Sequence, residues 1–228
     1  MRLDKFVAQS ADVTRSQAKK LIQAQRVTIN QQRISNSAQK VTSEDRVFLD
    51  NKSLQLMGHR YILLHKPKGY ICSTKDEEYP SALNLIDVPN KSKLHFAGRL
   101  DQDTTGMVLV SDDGDWTHRV TSPRKRLGKC YHVWLKEPVS SLMISEIESG
   151  VALKNEAKKT LPANIKLVSE YEVLLTIDEG KYHQVKRMFA AVGNRVVKLH
   201  RESIGEINLD NITEGEYRLL SENEIAKF

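Results

Sequence analysis

Apolar positions recur at helical spacing near the start of the chain. Leu3, Phe6 and Val7 form one stripe, and after an Asp12-Val13-Thr14 break Ala18, Leu21 and Ile22 form a second, with Thr14 placed to cap it. The period then changes. Val27-Thr28-Ile29 and Arg33-Ile34 flank Asn30-Gln31-Gln32, which reads as strand, turn and strand, and Val47-Phe48-Leu49 supplies a further strand. Asn51 to Arg60 is polar and contains Gly58, the composition of a connection between domains. We therefore divide the chain into a small domain, 1–57, a linker, 58–60, and a larger domain, 61–228.

In the larger domain short apolar runs alternate with helical stripes. Strands are predicted at Tyr61–Leu64, Met107–Val110, Tyr131–Leu135, Ile165–Val168 and Val173–Ile177. Asp112-Asp113-Gly114-Asp115 reads as an acidic turn, with Asp115 capping a helix that begins at Trp116. Val139, Leu142, Met143 and Ile147 give an amphipathic helix within Pro138–Gly150. Val185, Met188, Phe189 and Val192 give another, stopped by Gly193, and Ser221 with Glu224 forms a capping box. The pattern is that of an α+β protein.

Composition adds two constraints. At 228 residues with 39% hydrophobic content, the chain has no apolar run long enough for a membrane crossing, and Met1-Arg2-Leu3-Asp4-Lys5-Phe6 is not a signal sequence. Cys72 and Cys130 have neither metal-ligand spacing nor a paired framework, which fits a cytoplasmic location. The net charge of +6 favours a polyanionic partner, and its distribution is uneven: residues 1–57 hold ten Lys and Arg against five Asp and Glu, whereas the remaining 171 hold 25 against 24. Arg2, Lys5, Arg15, Lys19, Lys20 and Arg26 are the expected phosphate contacts.

Candidate chemistry centres on Gly98-Arg99-Leu100-Asp101-Gln102-Asp103-Thr104-Thr105-Gly106, a polar loop at the mouth of the Met107–Val110 strand. If extended, it would point Arg99, Asp101 and Asp103 to one side. Taken alone, the loop is compatible with a hydrogen-bonded turn, or with the Asp-x-Asp-x-Thr loop of haloacid-dehalogenase-type phosphatases. Further along, Thr117 to His132 carries Arg119, Arg124, Lys125, Arg126 and Lys129 with no acid and delivers Tyr131 to a strand start, as a flipped base would require. A second positive run spans Lys181 to Arg201.

The loop resembles the G-R-L-D-x-x-T-[ST]-G signature of pseudouridine synthases, and other segments agree with it. Lys66-Pro67-Lys68-Gly69 resembles that family's first motif, Lys129-Cys130-Tyr131 its K-x-Y motif, and Glu179 to Met188 its E-G-x-x-x-Q-[VI]-[KR]-R-M motif. The Tyr182-His183-Gln184-Val185-Lys186-Arg187-Met188 form is similar to the RsuA family, which modifies small-subunit ribosomal RNA. Residues 1–57 resemble the S-four-like (αL) RNA-binding domain. The resemblance implies a catalytic domain with a mixed, mostly antiparallel sheet flanked by helices. Its implied chemistry is isomerisation of a uridine in 16S ribosomal RNA without a cofactor or metal. Asp101 is the implied catalytic carboxylate, Lys186 its basic partner and Tyr131 the ring against the target uracil. Lys66, Arg99, Arg124, Lys125, Arg126, Lys129, His183 and Arg187 are the implied RNA contacts of this domain, and Asp103 receives no role. The implied partner is small-subunit ribosomal RNA or an assembling small-subunit particle, and the implied state a monomer. The competing reading is a non-catalytic ribosomal-RNA-binding or assembly module.

Overall fold

A computed structural model describes residues 1–55 and 58–228, which form two compact units, Met1–His59 and Arg60–Phe228. The expected boundary at residue 57 lies outside the described residues.

The first unit packs helices α1 (Leu3–Ser10) and α2 (Arg15–Gln23) beside a four-stranded sheet of β1 (Val27–Ile29), β2 (Gln32–Arg33), β3 (Val47–Leu49) and β4 (Lys52–Leu54), in the order β2-β1-β3-β4. Thr14 caps α2 through a capping box with Gln17. The apolar stripes read from the sequence bury Leu3, Val7, Ala18 and Ile22 completely, against Val27 and Val47. The polar stretch after Asp50 is not all connection. Lys52–Leu54 pairs with β3, because a two-residue left-handed turn at Asp50 and Asn51 closes a hairpin that an apolar count cannot detect.

The second unit is built on one nine-stranded sheet: β5 (Tyr61–Lys66), β6 (His95–Ala97), β7 (Thr105–Ser111), β8 (Lys129–Leu135), β9 (Asn164–Ser169), β10 (Glu172–Ile177), β11 (Val196–Ile204), β12 (Ile207–Asn208) and β13 (Tyr217–Leu219). The path is β13-β5-β7-β11-β8-β10-β9, with β6 on β7 and β12 on β11; only β7 and β11 run parallel. Helices α3 (Gly114–Thr121), α4 (Ser141–Ser149), α5 (Gln184–Ala191) and α6 (Glu222–Ile225) flank it. One face buries Ile62, Leu64, Val108, Val110, Val133, Val173 and Leu175 with Met188 and Phe189 of α5. The other buries Leu63, Met107 and Leu109 against Trp116. The cap of α3 is Asp113 rather than Asp115: its Oδ1 accepts from the Trp116 amide at 3.1 Å, so the helix starts two residues earlier than expected.

Candidate functional site

The central loop is not extended. Gln102 and Asp103 form a turn closed by the Thr104 amide donating to the Asp101 carbonyl at 3.1 Å. The loop is braced from below by the Lys66–Gly69 segment. The Gly69 amide donates to the Gln102 carbonyl at 2.9 Å, and Lys66 Nζ donates to the Pro67 carbonyl at 2.8 Å and the Gln102 carbonyl at 3.5 Å. The turn brings both acids to one lysine from α5. Lys186 Nζ donates to Asp101 Oδ2 at 3.0 Å and Asp103 Oδ1 at 2.6 Å. On the other side of Asp101, His183 Nε2 lies 3.2 Å from Oδ1. Burial alone would lower the pKa of Lys186, but its bonds to Asp103 and Asp101 outweigh that and hold it above the usual lysine value. Burial likewise acts to raise Asp103, and the Lys186 bond brings its carboxyl below the ordinary range.

Asp101, Lys186 and Tyr131 line one cavity of about 200 Å³ together with Arg99, Lys129, His183 and Arg201. Tyr131 is buried at the start of β8, opposite Arg201 of β11, and Arg201 is opposite Gly106 of β7, so three neighbouring strands meet at the cavity. Pro123 lines the same cavity, which sets the basic 123–126 turn at its rim with Lys125 and Arg126 exposed; the side chain of Arg124 lies outside the described residues. Lys129 is half-buried, and burial followed by the charge of Arg201 pulls its pKa down.

Two residues expected to contact RNA sit elsewhere. Lys66 is fully buried beneath the 98–106 loop, so its ammonium holds the Pro67 and Gln102 carbonyls and is not exposed to a phosphate. Arg187 is spent on structure: its guanidinium donates to Glu156 Oε1 at 3.2 Å, the Tyr182 carbonyl at 3.0 Å and the Lys154 carbonyl. Glu156 also accepts from Lys181 Nζ at 2.8 Å. In the first unit, Arg2 and Arg15 both bind the buried Asp4, at 2.9 and 3.1 Å, and Arg26 binds Asp50; Lys5, Lys19 and Lys20 are exposed. Burial lowers the Lys66 pKa to about 8 from 10.5. Between those values the denatured chain binds more protons than the native one, so this group makes stability rise with pH there. Lys66→Met is expected to flatten that rise, measured by denaturant unfolding at pH values on either side of the window.

Sequence reasoning gave Asp103 no role, named His183 only as an RNA contact, and did not single out Arg201. Asp103 shares Lys186, His183 meets Asp101 through a left-handed backbone at φ 47°, and Arg201 forms the cavity wall. A signal for Asp103 was present in the Asp-x-Asp spacing. None existed for Arg201, since a charged residue at a buried strand position reads as a surface one.

Residues 60–191 match the family model described as RNA pseudouridylate synthase, and residues 1–47 match the S4 domain. Over 228 residues the chain is 52% identical to ribosomal small subunit pseudouridine synthase A of Salmonella typhimurium, covering 99% of both chains. It is 51% identical to the Escherichia coli protein of the same name, again over 228 residues and 99% of each. A crystal structure of a pseudouridylate synthase, 44% identical, superposes with a TM-score of 0.72 over 100% of this chain and 99% of that one.

Proposed function

This chain belongs to the RNA pseudouridylate synthase family, and on that premise we propose that it isomerises a uridine of 16S ribosomal RNA to pseudouridine with Asp101 as the catalytic carboxylate. The reaction breaks the uridine C1′–N1 bond, turns the uracil and joins C5 to C1′. Asp101 acts ionised, either attacking C1′ or removing the C2′ proton in a glycal route. Lys186 holds its charge and orientation, and Asp103 and His183 fix that lysine–carboxylate pair from either side. Tyr131 provides the stacking face, worth about 1–3 kcal/mol against the few kcal/mol needed to extrude a nucleotide. One observation carries the reading: Asp101, Lys186 and Tyr131, far apart in sequence, line a single cavity.

The protein works as a monomer in the cytoplasm, on 16S RNA or its assembling particle, and no helix among the described residues is long and apolar enough to cross a membrane. The decisive experiment incubates the purified protein with 16S RNA and, separately, with assembling small-subunit particles, and maps pseudouridine by chemical probing. A new modification at one uridine supports the reading, and none on either RNA or particle refutes it.

In the S4 domain, Lys5, Lys19 and Lys20 are the phosphate contacts, whereas Arg2 and Arg15 are engaged by Asp4. Replacing Lys19 and Lys20 by Ala should reduce the salt dependence of RNA binding by about two counterions, seen as a shallower slope of log affinity against log salt. Arg15→Ala should change that slope less, and equal effects would contradict the assignment.

A further inference from the structure

Arg201 is 2% exposed, yet among the described residues no carboxylate pairs with it. Its Nε donates to the Met107 carbonyl at 2.7 Å, its Nη1 donates to the Tyr131 hydroxyl at 3.3 Å, and its Nη2 finds no hydrogen-bond partner among the described residues. Removing a cation from water without a counter-charge is costly unless something charged completes the arrangement. Asp101, Asp178 and Glu179 line the same cavity, but Asp101 is already bound by Lys186 and His183, Glu179 accepts from the Leu161 amide and Gln184 Nε2, and neither Asp178 nor Glu179 forms an ion pair with Arg201. Lys129 stands beside Arg201 on that wall, where burial first and the charge of Arg201 second lower its proton affinity. A guanidinium cannot yield in the same way, since it stays protonated. The strand register fixes it in place: Gly106 admits its backbone from one side, Tyr131 faces it from the other, and a bulge between Arg201 and Ser203 turns the strand just after it.

We infer that Arg201 is the positive wall on which the detached uracil anion is stabilised, a positioning residue that acts through the field it sets in the cavity and through the Tyr131 hydroxyl. This rests on the proposed isomerisation. When the C1′–N1 bond breaks, its electron pair leaves on the uracil, spread over N1, O2 and O4. C1′ is taken up by an Asp101 oxygen, or forms a double bond to C2′ as Asp101 removes the C2′ proton. When C5 then bonds to C1′, the C1′–oxygen bond to Asp101 breaks and restores the carboxylate in the first route, or the proton held by Asp101 returns to C2′ in the second; C5 loses its hydrogen and N1 gains one, so nothing is added or lost overall. The anion exists only between the two bond changes, and a fixed buried cation favours that interval over the bound uridine.

The test compares uridine RNA with the same RNA carrying 5-fluorouridine at the target, because the fluorine makes the departing base a weaker base that needs less stabilisation. Base detachment is followed in single turnovers as loss of the N-linked nucleoside. With wild-type protein first shown to form pseudouridine, Arg201→Gln should slow detachment from uridine RNA by about 100-fold, the scale of losing one preorganised donor. It should slow detachment from 5-fluorouridine RNA several-fold less, with RNA affinity unchanged. Arg201→Lys should recover most of the rate. Equal losses on both RNAs, no recovery by lysine, or failure of both variants to melt cooperatively would make Arg201 a structural residue and overturn the inference. A wild-type protein that forms no pseudouridine would instead sink the isomerase reading beneath it.

Discussion

Asp101→Asn is expected to lower pseudouridine formation by about 10⁴-fold while leaving RNA affinity within a factor of a few, the range in which a positioned acid–base group contributes. The amide is close in size and can still meet Lys186 Nζ, which stands 3.0 Å from Oδ2, so the loop should keep its turn. What it loses is the negative charge that the proposed chemistry places at C1′ or at the C2′ proton. Removing a carboxylate from an RNA-facing loop also removes a repulsion of phosphate, so binding should hold or tighten. Single-turnover rates and filter-binding affinities on the same RNA separate the two effects. A variant that still modifies its uridine at near wild-type rate would exclude Asp101 from the chemistry. Asp103→Asn is the useful contrast, because Asp103 is half-exposed and pairs with the same lysine from the outer side of the loop; its loss should be far smaller.

Gly106→Ala should destabilise the second unit by about 3 kcal/mol or more, beyond the 1 kcal/mol or so that a positive φ costs an alanine. A Cβ at Gly106, where φ is +111°, would stand 2.3 Å from the Arg201 carbonyl oxygen and 2.5 Å from its amide nitrogen. Both are backbone atoms of the one parallel strand pair, so neither can swing aside as a side chain could. To relax, β11 would have to part from β7, moving Arg201 and the Tyr131 opposite it. Gly69→Ala is the internal control: its φ is +91°, but nothing lies within 4 Å of the added carbon, so only the conformational cost applies. Thermal unfolding of the two variants measures the difference directly, and comparable melting temperatures would show that the strands can separate without penalty.

The architecture was legible where one physical signal dominated. Strands such as Met107–Val110 are apolar on both faces, and α5 shows its buried stripe of Val185, Met188 and Phe189 without interruption. The strands β11 and β13 were not legible. Lys198, His200 and Glu202 alternate with Leu199 and Arg201 in β11, so half the strand is charged and a member of its inward set is itself an arginine. Tyr217–Leu219 is three residues long and takes its place by pairing with β5, some 155 residues earlier, which no local period encodes. In the site the same distinction holds. Asp101, Lys186 and Tyr131 were named from motifs and share a cavity in the structure, whereas the fates of Lys66 and Arg187 depended on burial and on acceptors that a sequence pattern does not report. A lysine in a turn and an arginine at a helix start look identical whether they face phosphate or brace a loop.

Glu156 ties Lys181 to Arg187 across the start of the helix that supplies Lys186. Natural variation should therefore treat these three as a single inherited unit. Neutralising the glutamate leaves Lys181 and Arg187 without the carboxylate they share, and the loss is tolerable only when one of those bases changes in the same lineage. Glu156 would then resist drift through the helix it anchors, for reasons of leverage alone.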